Sequence, residues 1–261
     1  MLARKKPARK SRSQAAEPPA KRLAPRSSLR AVQRALKAAA DSRRAISVAV
    51  FFKTGKGDYG EGDRFIGIKV PELRKIARRH LTIGFGDLAR LLTSPIHEFR
   101  LAALEILVGQ YERADQAQRE RIVQFYLRQT KRMNNWDLVD AAAPYILGEH
   151  LKTHSRKILG DLAVSENLWE RRIAIVSTLA LIRNGEVGET YRIARTLLAD
   201  QHDLIHKAVG WALRESGKVS SEALLRFLRQ HYPRIPRTTL RYAIERFPAT
   251  QRKRLLDGDF N

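Results

Sequence analysis

An indole and a carboxylate lie one helical turn apart in the segment 134–140 of this chain. Trp136 and Asp140 have i, i+4 spacing, so a helix would present both on one face, while Asp137 would point elsewhere. The chain carries 50 Lys and Arg against 27 Asp and Glu, a net charge of +23. A carboxylate repels phosphate, so a carboxylate on a polyanion-binding surface needs a chemical reason. Chemistry on a nucleic acid is one such reason, and a core Trp beside a surface Asp is the alternative.

The composition favours a nucleic-acid partner and excludes several kinds of site. The excess of cations is typical of a nucleic-acid binder, with an anionic membrane surface as the other candidate. The chain contains no Cys, which excludes disulfides, thiolate zinc sites and iron–sulfur clusters. His150 and His154 have i, i+4 spacing but no H-E-x-x-H motif, so we interpret them as surface residues. We therefore predict no metal and no cofactor, and no membrane partner.

The first 27 residues differ in composition from the rest of the chain. Residues 1–30 hold ten Lys and Arg and a single acid, Glu17, together with four prolines. This pattern predicts a disordered basic tail, residues 1–27, that contacts phosphates non-specifically. A solubilising tail and a transit peptide are the alternatives.

Residues 28–261 show helical spacing of apolar side chains almost throughout, and strand-like alternation is scarce. Leu29, Val32 and Leu36 share one helix face, for example. Helix starts are predicted at Ser94-Pro95, Ser165-Glu166-Asn167 and Ser220-Ser221-Glu222. Short loops between helices of roughly 10–16 residues predict one all-α domain of antiparallel helix pairs.

The helical pattern also repeats along the chain. Four positions recur at intervals of 36, 36 and 35 residues, namely Arg100, Trp136, Arg172 and Lys207. This period predicts a HEAT-like solenoid (an α-α superhelix) in which equivalent positions line one face. A second row follows one turn later, at Asp140, Val176 and Trp211. We expect the two rows to line a concave basic groove in which Trp136, Asp140, Arg172 and Trp211 converge.

Simpler interpretations exist for several of these residues. Arg172 could form an ordinary ion pair with Glu170 or Asp140, which would itself orient the carboxylate. Trp211 could fill the core, with Gly210 allowing close packing or ligand approach beside it. The loop 54–63 formally contains G-x-G-x-x-G, but a helical pattern precedes it and three acids would repel a pyrophosphate. We interpret it as a flexible loop near the groove.

These residues resemble the AlkD-type DNA alkylation repair glycosylases, which are built from HEAT-like repeats. The resemblance runs from about residue 31 to about residue 247. It is carried by three segments: Asn135-Trp136-Asp137-Leu138-Val139-Asp140, Asn167-Leu168-Trp169-Glu170-Arg171-Arg172, and residues 207–215 around Trp211. In order and spacing they match the active-site Trp and Asp, the active-site Arg and the second cleft Trp of the family.

The resemblance implies excision of cationic N3- or N7-alkylated purines from duplex DNA, leaving an abasic site, without flipping of the base. Asp140 would then stabilise the oxocarbenium-like sugar and position water. Trp136 and Trp211 would offer π faces to the cationic nucleotide. Arg172 would hold a phosphate and orient Asp140. No Lys is marked as a Schiff-base nucleophile, so we expect a monofunctional enzyme.

Two other functions fit the sequence: a non-catalytic HEAT-like protein that binds damaged or branched DNA, and a solenoid that binds an acidic protein. For a DNA enzyme we expect a monomer in the cytoplasm, associated with the nucleoid in a prokaryote. The residues expected to contact DNA are Arg100, Lys131, Arg132, Lys207 and Arg214.

Overall fold

The structure, a computed structural model, describes residues 27–260, and the predicted tail lies almost entirely outside this range. The described chain is all-α, as predicted. Its helices are α1 Leu29–Ala38, α2 Ser42–Phe51, α3 Val70–Arg79, α4 Phe85–Leu92, α5 His97–Arg113, α6 Gln116–Arg128, α7 Trp136–Ala142, α8 Lys157–Ala163, α9 Leu168–Arg183, α10 Gly188–Leu197, α11 Asp203–Val219, α12 Ser221–His231, α13 Arg237–Ala243 and α14 Ala249–Leu256.

Three short helical turns complete the secondary structure. They are 3-10 turns at Thr130–Arg132 and Tyr232–Arg234 and a π-helical turn at Pro144–Gly148. Between residues 27 and 260 the extended pairing is limited to one isolated bridge, between Arg64 and Ile96. None of the helices in this range has both the length and the apolar character that crossing a bilayer requires.

The helices stack in two layers. In the first layer, α3, α5, α7, α9, α11 and α13 each contact the next. In the second layer, α10 packs against both first-layer helices that flank it in sequence, and α4, α6, α8 and α12 each pack against one of theirs. Helix pairs stacked in this way are the arrangement expected of a helical-repeat protein, because each pair can bury its apolar face only against its neighbours.

Two long helices of the first layer, α5 and α9, are buried on almost every side. Twelve residues of α9 are buried, including Ile173, Val176 and Leu179. A helix sandwiched between neighbours in both layers needs apolar residues all round, so its pattern is not that of a surface helix. Val176 is therefore a core residue with no exposed surface, and the second predicted row does not continue through it.

Side-chain caps fix several helix starts. Asn167 and Ser220 cap α9 and α12 where the sequence predicts. The helix predicted to start at Ser94-Pro95 begins at His97 instead, and the Ser94 hydroxyl accepts the Ile96 N–H just before it. Gly210 allows α11 and α13 to meet, because a Cβ there would lie 2.7 Å from the Thr239 carbonyl oxygen. Of the two predicted reasons for Gly210, close packing is the one observed.

Helix α2 is exceptional because it contributes no buried residue. Ile46, Val50 and Phe51 are all largely exposed. The helix is held at its N-terminus, where the Asp41 N–H donates to the Ile66 carbonyl at 2.8 Å. Gly67 (φ 80°) passes so close to the Asp41 carbonyl that no side chain would fit there.

Candidate active site

Asp140 and Arg172 form a two-pronged ion pair between α7 and α9. Arg172 Nε donates to Asp140 Oδ1 at 2.9 Å, and Nη2 donates to Oδ2 at 2.8 Å. The third guanidinium nitrogen, Nη1, donates to the Leu204 carbonyl at 2.7 Å. The planar guanidinium fork matches a carboxylate, so this contact fixes the orientation of Asp140.

Arg172 lies beneath Asp140 rather than on the surface. Its side chain is 6% exposed, whereas that of Asp140 is 20% exposed. The geometry agrees with the prediction that Arg172 orients Asp140. Three of the five guanidinium N–H donors are engaged within the protein, so two remain, and the predicted phosphate contact stays a prediction. Burial raises the pKa of Asp140 above its ordinary value, and the charge and hydrogen bonds of Arg172 oppose that rise.

The local sequence places Asp140 on a short, well-bounded helix. Asn135 begins α7 and accepts the Trp136 N–H through its side chain at 2.8 Å. The helix ends after Ala142, and Pro144 starts the π-helical turn. Pro144 has no N–H to donate to the Asp140 carbonyl, which is a local reason for the α-helix to end after Ala142 and change to a π-helical turn.

A cavity of about 540 Å³ opens above the ion pair. It brings together all four predicted catalytic residues, which are Trp136, Asp140, Arg172 and Trp211. Two of the predicted DNA contacts, Lys207 and Arg214, line it as well. The remaining lining residues are Phe51, Tyr59, Leu204 and Tyr242. Residues from several regions of the chain therefore surround one carboxylate with aromatic surfaces.

Two phenylalanines that sequence reasoning missed hold the Trp136 indole. The Phe52 ring stacks on it with centroids 5.3 Å apart and an angle of 20° between the planes. Phe51 meets it edge to face, with centroids 6.1 Å apart, and is 66% exposed at the rim of the cavity. Both lie at the end of α2. The apolar residues of that helix that face solvent were the one feature that could have pointed to them. Trp136 is thus partly exposed but fixed in orientation.

A buried charged network supports this aromatic cluster from behind. His97 Nδ1 lies 3.0 Å from an oxygen of Asp63, and His97 Nε2 lies 2.7 Å from an oxygen of Asp137. Burial lowers the pKa of His97, but the hydrogen bonds to Asp137 and Asp63 outweigh it and raise this pKa to about 9. Asp137 faces away from the cavity, as predicted. Its contact with His97 was not predicted from the sequence.

Arg100 belongs to this network and not to the surface. Its Nη2 lies 2.6 Å from Asp63, its Nη1 donates to the Ser94 carbonyl at 2.6 Å, and the residue is buried. The prediction that Arg100 contacts DNA is therefore wrong. The repeat spacing gave the correct helix position, but Asp63 on the loop 54–63 reaches over α5 and covers that position.

The other predicted DNA contacts are exposed to different degrees. Lys207 is partly exposed and pairs with Asp203 at 2.7 Å, a contact that raises the pKa of Lys207. Arg214 is mostly covered and pairs with Glu245 and Glu215. Lys131 and Arg132 are exposed on a 3-10 turn that does not line the cavity. Their contact with DNA stays a prediction.

One residue of the loop 54–63 lies at the cavity. Tyr59 lines the cavity and meets Trp169 edge to face, with ring centroids 6.2 Å apart. Glu61 accepts the Gly57 N–H at 2.8 Å, so this acid organises the loop itself. With Asp63 buried, two of the three acids of the loop have structural partners.

The family profile described as "DNA alkylation repair enzyme" matches residues 32–247. The chain belongs to this DNA alkylation repair family. The match covers most of the described structure and all the residues that line the cavity.

A structural neighbour of this repair-family member has the same fold. It is described as a predicted DNA alkylation repair enzyme from Enterococcus faecalis, with a TM-score of 0.63 and 17% sequence identity. The alignment covers 80% of this chain and 97% of that one. At this identity the likeness shows the fold alone. No curated protein sequence matches the chain.

Proposed function

We propose that this repair-family member is a monofunctional DNA glycosylase. Its substrates are cationic N3- or N7-alkylated purines in duplex DNA, and it hydrolyses their N-glycosidic bond to leave an abasic site. The observation that carries the proposal is the Asp140 carboxylate, held by Arg172 at the base of a cavity with aromatic walls. Membership of the DNA alkylation repair family supports the substrate class.

The proposed reaction requires a negative charge held at the right position beside the sugar. An alkylated purine that already carries a positive charge can leave without a general acid. As the bond breaks, positive charge develops on the deoxyribose, and a nearby carboxylate stabilises it. Arg172 occupies one lone pair on each oxygen of Asp140, and the remaining lone pairs can face the sugar and accept a proton from the attacking water.

The aromatic walls complement the same charge. Two indoles line the cavity together with Asp140: Trp136 comes from α7 and Trp211 comes from α11. A cation over an indole face gains roughly 0.5–2 kcal/mol. A neutral purine would gain less from these walls, so they favour the alkylated base. We infer from the family resemblance that the lesion is contacted without being flipped from the stack.

DNA binding needs cations around this cavity, and the sequence supplies them. Lys207 lies at the cavity, Lys131 and Arg132 are exposed beside α7, and the basic tail adds more. The proposed partner is double-stranded DNA, bound by a monomer in the cytoplasm.

The test is excision from a duplex that contains a single 7-methylguanine, followed by alkaline cleavage of the abasic site. The wild-type protein should cut at the lesion. Asp140→Asn should reduce the single-turnover rate by at least about 100-fold while DNA affinity changes little. Thermal unfolding of the variant controls for the loss of the ion pair. Tight binding without excision by the wild type would support the damage-binding alternative, and excision by Asp140→Asn at the wild-type rate would refute the mechanism.

A further inference from the structure

Two imidazoles and a carboxylate meet at a place outside the lining of the cavity. Glu120 lies on α6, and His150 and His154 follow the π-helical turn after α7. One ligand atom from each of the three lies within 4.8 Å of the others. The two imidazole rings stack with centroids 3.8 Å apart and planes 11° apart. All three residues are partly exposed, so an ion from solvent can reach them.

The hydrogen bonds of His154 set its tautomer. Its Nδ1 lies 2.8 Å from the His150 carbonyl oxygen, and the Thr153 hydroxyl lies 3.0 Å from the same nitrogen. A carbonyl can only accept, so Nδ1 carries the proton and donates. The Nε2 of neutral His154 then presents a lone pair, and it lies 3.0 Å from a Glu120 carboxylate oxygen.

This is the arrangement that metal-binding histidines use. Such a histidine donates its other ring N–H to a carbonyl or carboxylate, which fixes the ring and directs the lone pair at the ion. Two lone pairs facing each other at 3.0 Å need a cation between them. A proton would satisfy Glu120 and His154 only, whereas a divalent ion would also take His150 as a ligand.

The distances suit a tetrahedral ion after a small adjustment. Zn–N and Zn–O bonds of about 2.1 Å put the ligand atoms of a tetrahedral site roughly 3.4 Å apart. One pair of ligand atoms is already at 3.0 Å, and no pair exceeds 4.8 Å. The long side chain of Glu120 and the exposed ring of His154 can supply the remaining movement.

On the sequence alone, His150 and His154 are interpreted as surface residues and no metal is predicted. Contrary to that expectation, we propose that Glu120, His150 and His154 bind one divalent transition-metal ion of the zinc class. Two imidazoles and one carboxylate are ligands that Zn²⁺, Co²⁺ and Ni²⁺ prefer over Mg²⁺ or Ca²⁺, and water completes the coordination. The ion links α6 to the segment that follows α7 and so ties two neighbouring helix pairs together. Its role is structural, and it is independent of the proposed glycosylase chemistry.

The experiment uses the full chain without a histidine tag, treated with a chelator and then titrated with Zn²⁺ and separately with Co²⁺. Calorimetry and elemental analysis should show one equivalent bound, and the Co²⁺ form should give the intense visible absorption of a tetrahedral site. The melting temperature should rise with Zn²⁺ and not with Mg²⁺. Glu120→Gln and His154→Asn should each weaken Zn²⁺ binding by at least about tenfold, since each removes one of three ligands.

His80→Asn is the matched control, because His80 is also partly exposed but lies outside the cluster, and it should bind Zn²⁺ as the wild type does. Circular dichroism of each variant checks that it is folded. Absence of stoichiometric binding by the folded wild type would overturn the proposal. So would equal affinity of the wild type, Glu120→Gln and His154→Asn, because binding would then occur elsewhere.

Discussion

Arg172 donates two parallel hydrogen bonds to Asp140 across the interface of α7 and α9, while its neighbour Arg171 pairs with a different carboxylate, that of Asp200. Arg171 Nε pairs with Asp200 at 2.6 Å, and its Nη1 donates to the carbonyls of Ser165 and Glu166. The two adjacent arginines make similar sets of contacts, but of the two Arg172 is the one that lines the cavity. Comparing Arg172 with Arg171 allows the proposed catalytic contribution of Arg172 to be separated from its contribution to stability.

We expect Arg172→Lys to reduce excision by about 10- to 100-fold, because an ammonium cannot form the fork that orients Asp140. Arg171→Lys should lose comparable stability but keep the excision rate. Single-turnover rates on the 7-methylguanine duplex and thermal unfolding of both variants measure the two effects. Equal losses of rate in both variants would mean that Arg172 acts only through stability.

Phe51 offers a second test, since it combines exposure with a contact to Trp136. Phe51→Ala should lower excision by roughly 3- to 10-fold, the equivalent of losing an aromatic pair of about 0.5–1.5 kcal/mol. The melting temperature should hardly change, because the side chain is 66% exposed. Ile46→Ala is the control: Ile46 is 71% exposed on the same helix but does not line the cavity. A similar loss of excision in the control would assign the effect to α2 as a whole.

The His97 network predicts a pH-dependent stability. Because the folded-state pKa of about 9 exceeds the ordinary value of 6.5, the protonated imidazole stabilises the fold fully below pH 6.5, and this contribution is lost as the pH rises through 9. The contribution amounts to about 3 kcal/mol.

Denaturant unfolding of the wild type and of His97→Gln across this range checks the prediction. The difference in unfolding free energy between the two proteins should be largest at or just below pH 6.5 and should shrink as the pH rises towards 9. A constant difference would show that His97 is neutral in the folded protein.

The basic tail makes a prediction of its own. Removing residues 1–26 leaves Ser27, whose N–H donates to the Thr82 hydroxyl at 2.9 Å, so the fold should be unaffected. DNA affinity should fall, and its dependence on salt should become less steep by about 0.9 in log–log slope for each phosphate that the tail neutralises in the full-length protein. Binding to undamaged duplex at several salt concentrations measures the slope. An unchanged slope would make the tail a solubility device.

The helical fold and the four residues that meet at the cavity could be predicted without a structure. Helix periodicity places Trp136 and Asp140 on one face, and the recurrence of the same helix pair every 35 or 36 residues brings Arg172 and Trp211 beside them. Helix periodicity and the repeat interval can both be read directly from the spacing of residues along one sequence.

Tertiary packing, by contrast, decided which charged residues are exposed and which residues far apart in the sequence are in contact. Arg100 has the repeat spacing of a surface residue, but Asp63 on a loop outside the repeat covers it. Glu120 meets His154 although 34 residues separate them, and nothing in a local pattern marks that pairing. The partners of a charged side chain depend on how loops and helix pairs pack against one another, and that packing has no period in the sequence.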